Sequence, residues 1–399
     1  MKLKQVPEDF IVNEIYDLES FSQKKEEKDR DYYYFKLTKR NYAQFSALDK
    51  VSNIFGVSRK WVNFAGTKDK LGVTSQIISI FGLKEFNLEK NVDFFNSKID
   101  DINIEFIGKY KGRINLGDNL GNAFEIVVRD LTKDDILVAK KNLDEIGKFG
   151  VWNYFDEQRF GYAQNSHIVG RYLLLDEVEM ALKTLLCSCP KDASIDLKKY
   201  TDFIFKNWGR IVKQDEKVLD EIKKIIPKFL SSDLHVIRHL LRAKNDFFGA
   251  FRNIPKKIRT LYVNAYQSYV FNEMLADFSK AESKDVENIP EDLELVNSQF
   301  NFDDFGGSVV KRILDEDGLT LENFKLPRMP ELKLGGIIRK VRIQVQDLKF
   351  DSNLEDLDGF RDDMNEGKYK LKVSFALGPG EYATNVVKQL FGQKDNIIK

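Results

Sequence analysis

Phe64-Ala65-Gly66-Thr67-Lys68-Asp69-Lys70-Leu71-Gly72-Val73-Thr74-Ser75-Gln76 takes an apolar run, Trp61 to Ala65, through a glycine and a charged trio toward a second run, Gln76 to Phe81. The pattern predicts two strands joined by a turn. Asp69 stands between Lys68 and Lys70. A carboxylate is an acceptor-only group, and adjacent cations favour its ionised form. That is the preparation an aspartate needs to act as a nucleophile. In isolation the same trio is also an ordinary charged hairpin turn, so the rest of the chain has to decide.

Upstream, Pro7 precedes an alternating segment, Phe10-Ile11-Val12-Asn13-Glu14-Ile15, and Tyr32-Tyr33-Tyr34-Phe35-Lys36-Leu37 is a second strand candidate. The charge run Lys24 to Arg30 between them predicts a solvated loop. Asn41 to Phe55 follows a helical period with Phe45, Leu48, Val51 and Phe55 on one face. Lys39, Arg40, Lys50, Arg59 and Lys60 bracket the turn, a pattern that suits a rim tracking phosphates and equally an ordinary solvated face.

Downstream, strands are predicted at Gln76–Phe81, Ile102–Lys109 and Asn122–Val128, the last after the turn chemistry of 115–122. At its head Asn122 offers a donor and an acceptor and Phe124 a ring, which suit the edge and face of a pyrimidine. The same pair also fits a turn residue with a core phenylalanine. Asp134–Phe149 reads as a helix, 165–250 as mainly helical, and Thr260–Phe278 as a further helix. From 280 to 365 acidic stretches (Glu291 to Glu294, Asp303-Asp304, Glu355 to Asp358) separate short β-like runs, an α+β module. Tyr369–Phe375 and the segment to Lys388 then predict a strand, tight turn and helix returning to an earlier sheet.

Composition narrows the classes. With 63 basic and 63 acidic residues the net charge is zero, so a nucleic-acid binder must segregate a basic cleft from acidic outer faces. The two cysteines, Cys187 and Cys189, are too close for an ordinary disulfide and indicate a cytosolic redox class. Together with His235 and His239 they invite a zinc reading, but Cys187-Ser188-Cys189 lacks the two-to-four-residue gap of structural zinc sites. The histidines are read as helix-surface residues. The N-terminus shows no signal-peptide core and no run of about 18 apolar residues occurs, so the expectation is a soluble cytoplasmic protein without a membrane partner.

Several segments together resemble the TruD family of pseudouridine synthases. They are Lys4…Pro7-Glu8-Asp9-Phe10; Gly66-Thr67-Lys68-Asp69-Lys70 with Thr74 and Gln76; Gly121-Asn122-Ala123-Phe124; Asn153-Tyr154-Phe155…Gln158-Arg159-Phe160-Gly161; Ala265-Tyr266-Gln267-Ser268 with Phe271-Asn272; and Gly378…Tyr382-Ala383-Thr384. They run in family order over essentially the whole chain. The Ala-Tyr-Gln-Ser form and the long 165–255 helical region look closer to the archaeal/eukaryotic branch.

The resemblance implies an α+β fold. A mixed, largely antiparallel sheet flanked by helices (1–157 and 368–399) is interrupted by a TRUD insertion-containing region (158–367), and the two form a cleft. It implies isomerisation of a uridine, with uridine 13 of the tRNA D-arm the expected target, and no cofactor or metal. Asp69 matches the catalytic aspartate and Lys4 the basic group near it; Phe10, Asn122, Phe124 and Tyr382 match positions lining the uridine pocket. Lys68, Lys70, Arg159 and Gln267 are candidates for an RNA cleft. Tyr382 stands where a phenylalanine is often found, and Asp156 replaces a common glycine. Two other classes remain open. A non-catalytic RNA-binding module would not need Asp69, and a metal-dependent hydrolase would want clustered carboxylates, of which the turn has one.

Overall fold

The computed structural model describes residues 1–19, 31–83, 88–280, 288–332, 334–350 and 360–392. The charge run Lys24 to Arg30 and the acidic stretch Glu355 to Asp358 lie outside them.

Pro7 opens a single 3-10 turn, Pro7–Asp9, and the chain then extends as β1 (Phe10–Ile15) with alternate residues buried. β2 (Tyr32–Arg40) is rich in aromatic and branched residues that suit a pleated, half-buried surface. It leads into helix α1 (Gln44–Ile54), whose Ala47, Leu48 and Val51 are buried. Phe45, expected on that buried face, is largely exposed instead, with its ring edge on Phe64. β3 (Val62–Phe64) and β4 (Val73–Phe81) flank the Asp69 loop. α2 (Leu88–Lys98), β5 (Ile102–Tyr110) and β6 (Gly121–Leu131) follow. α3 (Lys133–Phe149) starts at a capping box in which Thr132 and Asp135 satisfy each other's backbone amides.

After residue 342 the chain adds β7 (Gln346–Phe350), β8 (Tyr369–Leu377) and α4 (Ala383–Leu390). The eight strands form one sheet in the order β7-β8-β6-β1-β4-β2-β5, with β3 also on β4. The registers are antiparallel except β1 on β4, which is parallel over Ile11–Asn13 and Val73–Ser75. This is the largely antiparallel α+β sheet that the resemblance implies.

One sheet face has two apolar zones. Phe124, Ile126, Val373 and Phe375 pack in one core with residues of α3 and α4, including Ile136, Val386 and Leu390. Phe35, Leu37, Ile78 and Ile80 pack in another with Leu48, Val51 and Phe95 of α1 and α2. Between the two zones, the same strand parity carries polar residues: Glu14, Lys39, Thr74, Gln76 and Asn122. Buried polar groups on a sheet centre cost stability unless they are paired, which marks this strip as a place where function overrides packing.

The chain divides into two compact units, Met1–Val151 with Ile343–Lys394, and Trp152–Arg342. The expected return point is 368, but the first unit resumes at 343 and its sheet at Gln346. β7 pairs Lys349 with Ser374 on β8, while Asp362 and Asp363 hold Arg129 of β6. A five-residue edge strand and two acidic side chains read from sequence as part of the preceding acidic module, because their partners lie far away in the chain.

The second unit is mainly helical, as expected. Its centre is Lys256–Phe278, which buries Val263, Tyr266, Gln267, Val270, Phe271 and Met274 among others. Gly170 lets the helix Ser166–Leu174 approach it, since a Cβ there would meet Tyr262 O at 2.2 Å. The start of this region is two helices, Ser166–Leu174 and Val178–Cys187, separated at Asp176, whose φ is 64°. The α+β part is sparse: strand Asp292–Glu294 pairs with Ile338–Lys340 beside helix Gly307–Asp317. His239 pairs with Asp246 at 2.8 Å, and that aspartate caps the helix Phe247–Arg252 through Gly249 N.

His167 is buried in this unit, stacked on Tyr269 at 5.0 Å and edge-on to Phe160 at 5.4 Å. Burial pushes its imidazole down to about 4. The unfolded chain, titrating near 6.5, takes up a proton that the fold refuses, so stability falls as pH drops from that value toward 4. Between pH 7 and 5 the loss from this group is about 2 kcal/mol. His167→Phe keeps a ring in place and is expected to remove that increment. Denaturant midpoints of both proteins at the two pH values check it, and an unchanged difference between them refutes it.

Candidate active site

The loop 65–72 leaves β3 at Phe64, which pairs with Ile78, and enters β4 at Val73, which pairs with Ile11 of β1. Three residues around the β2–α1 connection hold its backbone. Lys39 Nζ donates to Asp69 O. Asn41 and Gly72 exchange two hydrogen bonds, Gly72 N to Asn41 Oδ1 and Asn41 N to Gly72 O, each 2.9 Å. Gln44 Oε1 accepts from Lys68 N, and its Nε2 donates to Gly66 O at 3.2 Å. Gly72 has φ 113°, and a Cβ there would lie 2.4 Å from Phe10 O, so only glycine fits.

Beneath the loop, Lys68 Nζ reaches Glu14 Oε1 at 2.6 Å, and both side chains are buried. Glu14 Oε2 accepts from Ile77 N at 2.9 Å, just past the last β1–β4 register pair, Asn13 with Ser75. The ion pair therefore fills the gap left where β1 and β4 part. Removing one partner of such a pair strands a buried charge, at about 3–5 kcal/mol.

Asp69 projects from this anchored backbone with its side chain about half exposed. Lys4 Nζ donates to its Oδ2 at 2.8 Å and sits 3.9 Å from the Phe10 ring centroid. Lys4 has φ 55°, a left-handed conformation costing an L-residue roughly 1–2 kcal/mol. Lys39 is only 2% exposed, and burial pushes its ammonium down to about 8 against the opposing pull of Asp69.

Phe10 contacts Phe124 edge-on at 6.2 Å, and Phe124 stacks on Phe375 at 5.3 Å. At 2% and 7% exposed, both rings are buried, which for Phe124 agrees with the reading as a core phenylalanine. Asn122 follows on the same face, opposite Glu14 on one side and Leu377 on the other. Tyr382, half-buried, begins α4 five residues past Leu377. Among the described residues, Thr74 Oγ1, both amide atoms of Gln76 and Asn122 Oδ1 are buried without a hydrogen-bond partner. An unmet buried polar group costs about 1–3 kcal/mol, and such a cluster requires an explanation.

The expected RNA cleft residues separate. Lys70 is exposed, but Lys68 is committed to Glu14, so it is no groove residue. Arg159 and Gln267 belong to the second unit. Arg159 Nε donates to Ser268 Oγ at 2.9 Å. Gln267 is fully buried and donates to Val296 O at 2.7 Å, so it supports the core of the long helix. Asp156, in place of the usual glycine, caps the next turn by accepting from Gln158 N at 3.1 Å. In the first unit, Lys39 is also no part of a phosphate rim, and Arg40 pairs with Glu8 at 2.7 Å. Sequence reasoning missed the holding role of Lys39, Asn41 and Gln44. The strand period that buries Phe35 and Leu37 would have placed Lys39 on the same inward face.

The pattern of tRNA pseudouridine synthase D (TruD) matches residues 1–304 and 293–390. The chain belongs to the TruD family. Within it, a Methanocaldococcus jannaschii chain carrying the name "Probable tRNA pseudouridine synthase D 2" is 30% identical, over 98% of this chain and 92% of its own. The tRNA pseudouridine synthase D of Aquifex aeolicus is also 30% identical, over 98% of each. The crystal structure of a TruD chain from Methanosarcina mazei superposes with a TM-score of 0.76 at 26% identity, covering 98% of this chain and 93% of that one. No helix among the described residues is long and apolar enough to cross a membrane.

Proposed function

We propose that this TruD-family chain converts a single tRNA uridine, uridine 13 of the D-arm, to pseudouridine, with Asp69 as the reacting carboxylate. The observation that carries this reading is the mounting of Asp69. Its backbone is tied by Lys39, Lys68 before it by Gln44 and Gly72 three residues on by Asn41, while its side chain remains reachable and paired with Lys4. Such preorganisation is what a nucleophile or base requires.

The isomerisation breaks the C1′–N1 bond and re-forms the link at C5, with no net redox change. A uridine has to leave its stack to be reached, at a cost of a few kcal/mol. The unpartnered Thr74, Gln76 and Asn122 atoms supply donors and acceptors that suit a uracil edge, and the half-buried Tyr382 ring is the stacking surface. Lys4 orients the Asp69 carboxylate through its 2.8 Å ion pair. In this reading the first unit is the catalytic domain and 152–342 the family's insertion.

Incubating the protein with an unmodified tRNA transcript in the presence of chelator, then mapping pseudouridine by carbodiimide chemistry, tests the reading. Product at one D-arm uridine supports it. Intact binding without product favours the non-catalytic RNA-binding module.

Lys39 provides a pH signature. Above about 8 it loses its charge, and the charge-assisted hydrogen bond that ties Asp69 O weakens. The single-turnover rate at saturating RNA is expected to fall as pH rises through this value. Lys39→Met is expected to lower the rate roughly 10²-fold by loosening the loop, and to flatten the alkaline limb. A wild-type rate that stays level from pH 7 to 9.5 counts against the assignment.

A further inference from the structure

The second unit contains a cavity of about 450 Å³ that the reaction above does not use. Its surface is mainly apolar, from residues including Leu186, Leu197 and Val236; Ser166, Ser188, Thr201 and Asn253 add polar groups, and Asp233 is the one charged residue among the lining. Asp233 Oδ2 accepts from Tyr200 OH at 3.1 Å. Its Oδ1 takes no hydrogen bond, and no cation pairs with the carboxylate, among the described residues. Burial pushes this carboxyl up to about 6, so it is mostly ionised at neutral pH. An apolar pocket with one such group is the usual form of a small-ligand site.

Two lining rings are unusually open: Tyr162 is 66% and Phe229 69% exposed. Lysines adjoin the lining in sequence, Lys228 next to Phe229 and Lys256 and Lys257 between Pro255 and Ile258. Lys256 and Lys257 are exposed and begin the 23-residue helix Lys256–Phe278, whose N-cap Pro255 provides no side-chain acceptor. Its first amides and these cations suit a phosphate. The carboxylate repels an anion, so the inner and outer parts of the site favour opposite chemistries. A nucleotide satisfies both, with its base inside and its phosphate at the rim.

We propose that this cavity receives an unstacked guanine of the RNA substrate, read by Asp233, with Tyr162 and Phe229 as stacking surfaces and the rim lysines on its backbone phosphates. Guanine alone among the four bases presents two adjacent donors, N1–H and N2–H, on its Watson–Crick edge, and a carboxylate accepts both. The inference rests on the reading of the chain as an RNA-acting protein. It adds a second base-recognition point remote in sequence from Asp69.

Saturation-transfer NMR on the full chain with GMP, AMP, CMP and UMP tests it. GMP is expected to respond most strongly, to be displaced by the tRNA transcript, and to lose its advantage in Asp233→Asn. Phe229→Ala, at an exposed position, is expected to weaken transcript affinity roughly tenfold. Equal responses from the four mononucleotides, or an undiminished GMP preference in Asp233→Asn, overturn the proposal. GMP binding that the transcript does not displace also overturns it, since that is a site for free nucleotide. A protein that selects GMP through Asp233 in competition with RNA, yet makes no pseudouridine, refutes the catalytic reading and leaves this one standing.

Discussion

Asp69→Asn is expected to abolish pseudouridine formation, lowering the single-turnover rate by about 10⁴-fold or more, while affinity for the tRNA transcript stays near that of the wild type. The substitution is almost isosteric. It leaves Lys39, Asn41 and Gln44 in place on the loop backbone and removes only the charge that Lys4 holds at 2.8 Å. That pair is partly exposed, so its loss changes stability by about 1 kcal/mol or less. Inactivity of the variant then cannot be ascribed to unfolding, and equal denaturation midpoints would document this. Product at near wild-type rate would remove Asp69 from the chemistry altogether.

The largest expected loss of stability comes from Arg129→Met. Arg129 Nε donates to Asp9 Oδ1 at 2.8 Å, and its Nη1 to Asp362 Oδ1 at 2.9 Å and Asp363 Oδ1 at 2.8 Å. The Arg129, Asp9 and Asp362 side chains are buried, so the variant leaves two carboxylates without their cation, at about 3–5 kcal/mol. Burial alone would raise Asp362, but hydrogen bonds from Asp130 N, Met364 N, Asn365 and Arg129 bring it down to about 2. With its folded value depressed below the unfolded 3.9, its stabilisation is present at neutral pH and disappears as pH falls from about 4 through 2. Urea midpoints of the variant and the wild type at pH 7 check this, and a deficit under 1 kcal/mol rules out the network as a major support.

Much of the fold was legible because it is local. The aromatic run of β2, the apolar runs around Asp69 and the helix after Thr132 are written in consecutive residues. Asp69 and Lys4, which the family resemblance singles out, touch in the structure. What could not be read was pairing at a distance. Nothing near Lys68 announces that Glu14 neutralises it, or near Gln44 that its amide spans Gly66 and Lys68. Both lysine and glutamine are surface residues by default, so their burial emerges only when strands far apart in the chain are laid side by side. The same blindness moved the expected return to the sheet from 346 to 368.

The strand order has a consequence for how the protein is made. β1 leaves the ribosome early but lies in the interior of the sheet, and β8 completes its neighbour β6 by pairing Leu371 with Val128 and Leu377 with Asn122. Between them, Trp152–Arg342 must be translated, roughly 190 residues, which at about 5–20 residues per second takes about 10–40 s. The helical unit can fold within that interval from contacts near in sequence, whereas the sheet waits with an unpaired β6 edge. Lys4 precedes Asp9, which binds Arg129, and Arg129 gains its further partner Asp362 only late. A nascent chain therefore carries Asp69 long before the sheet beneath it is complete, and that sheet is finished only when the segment from Ile343 onward emerges.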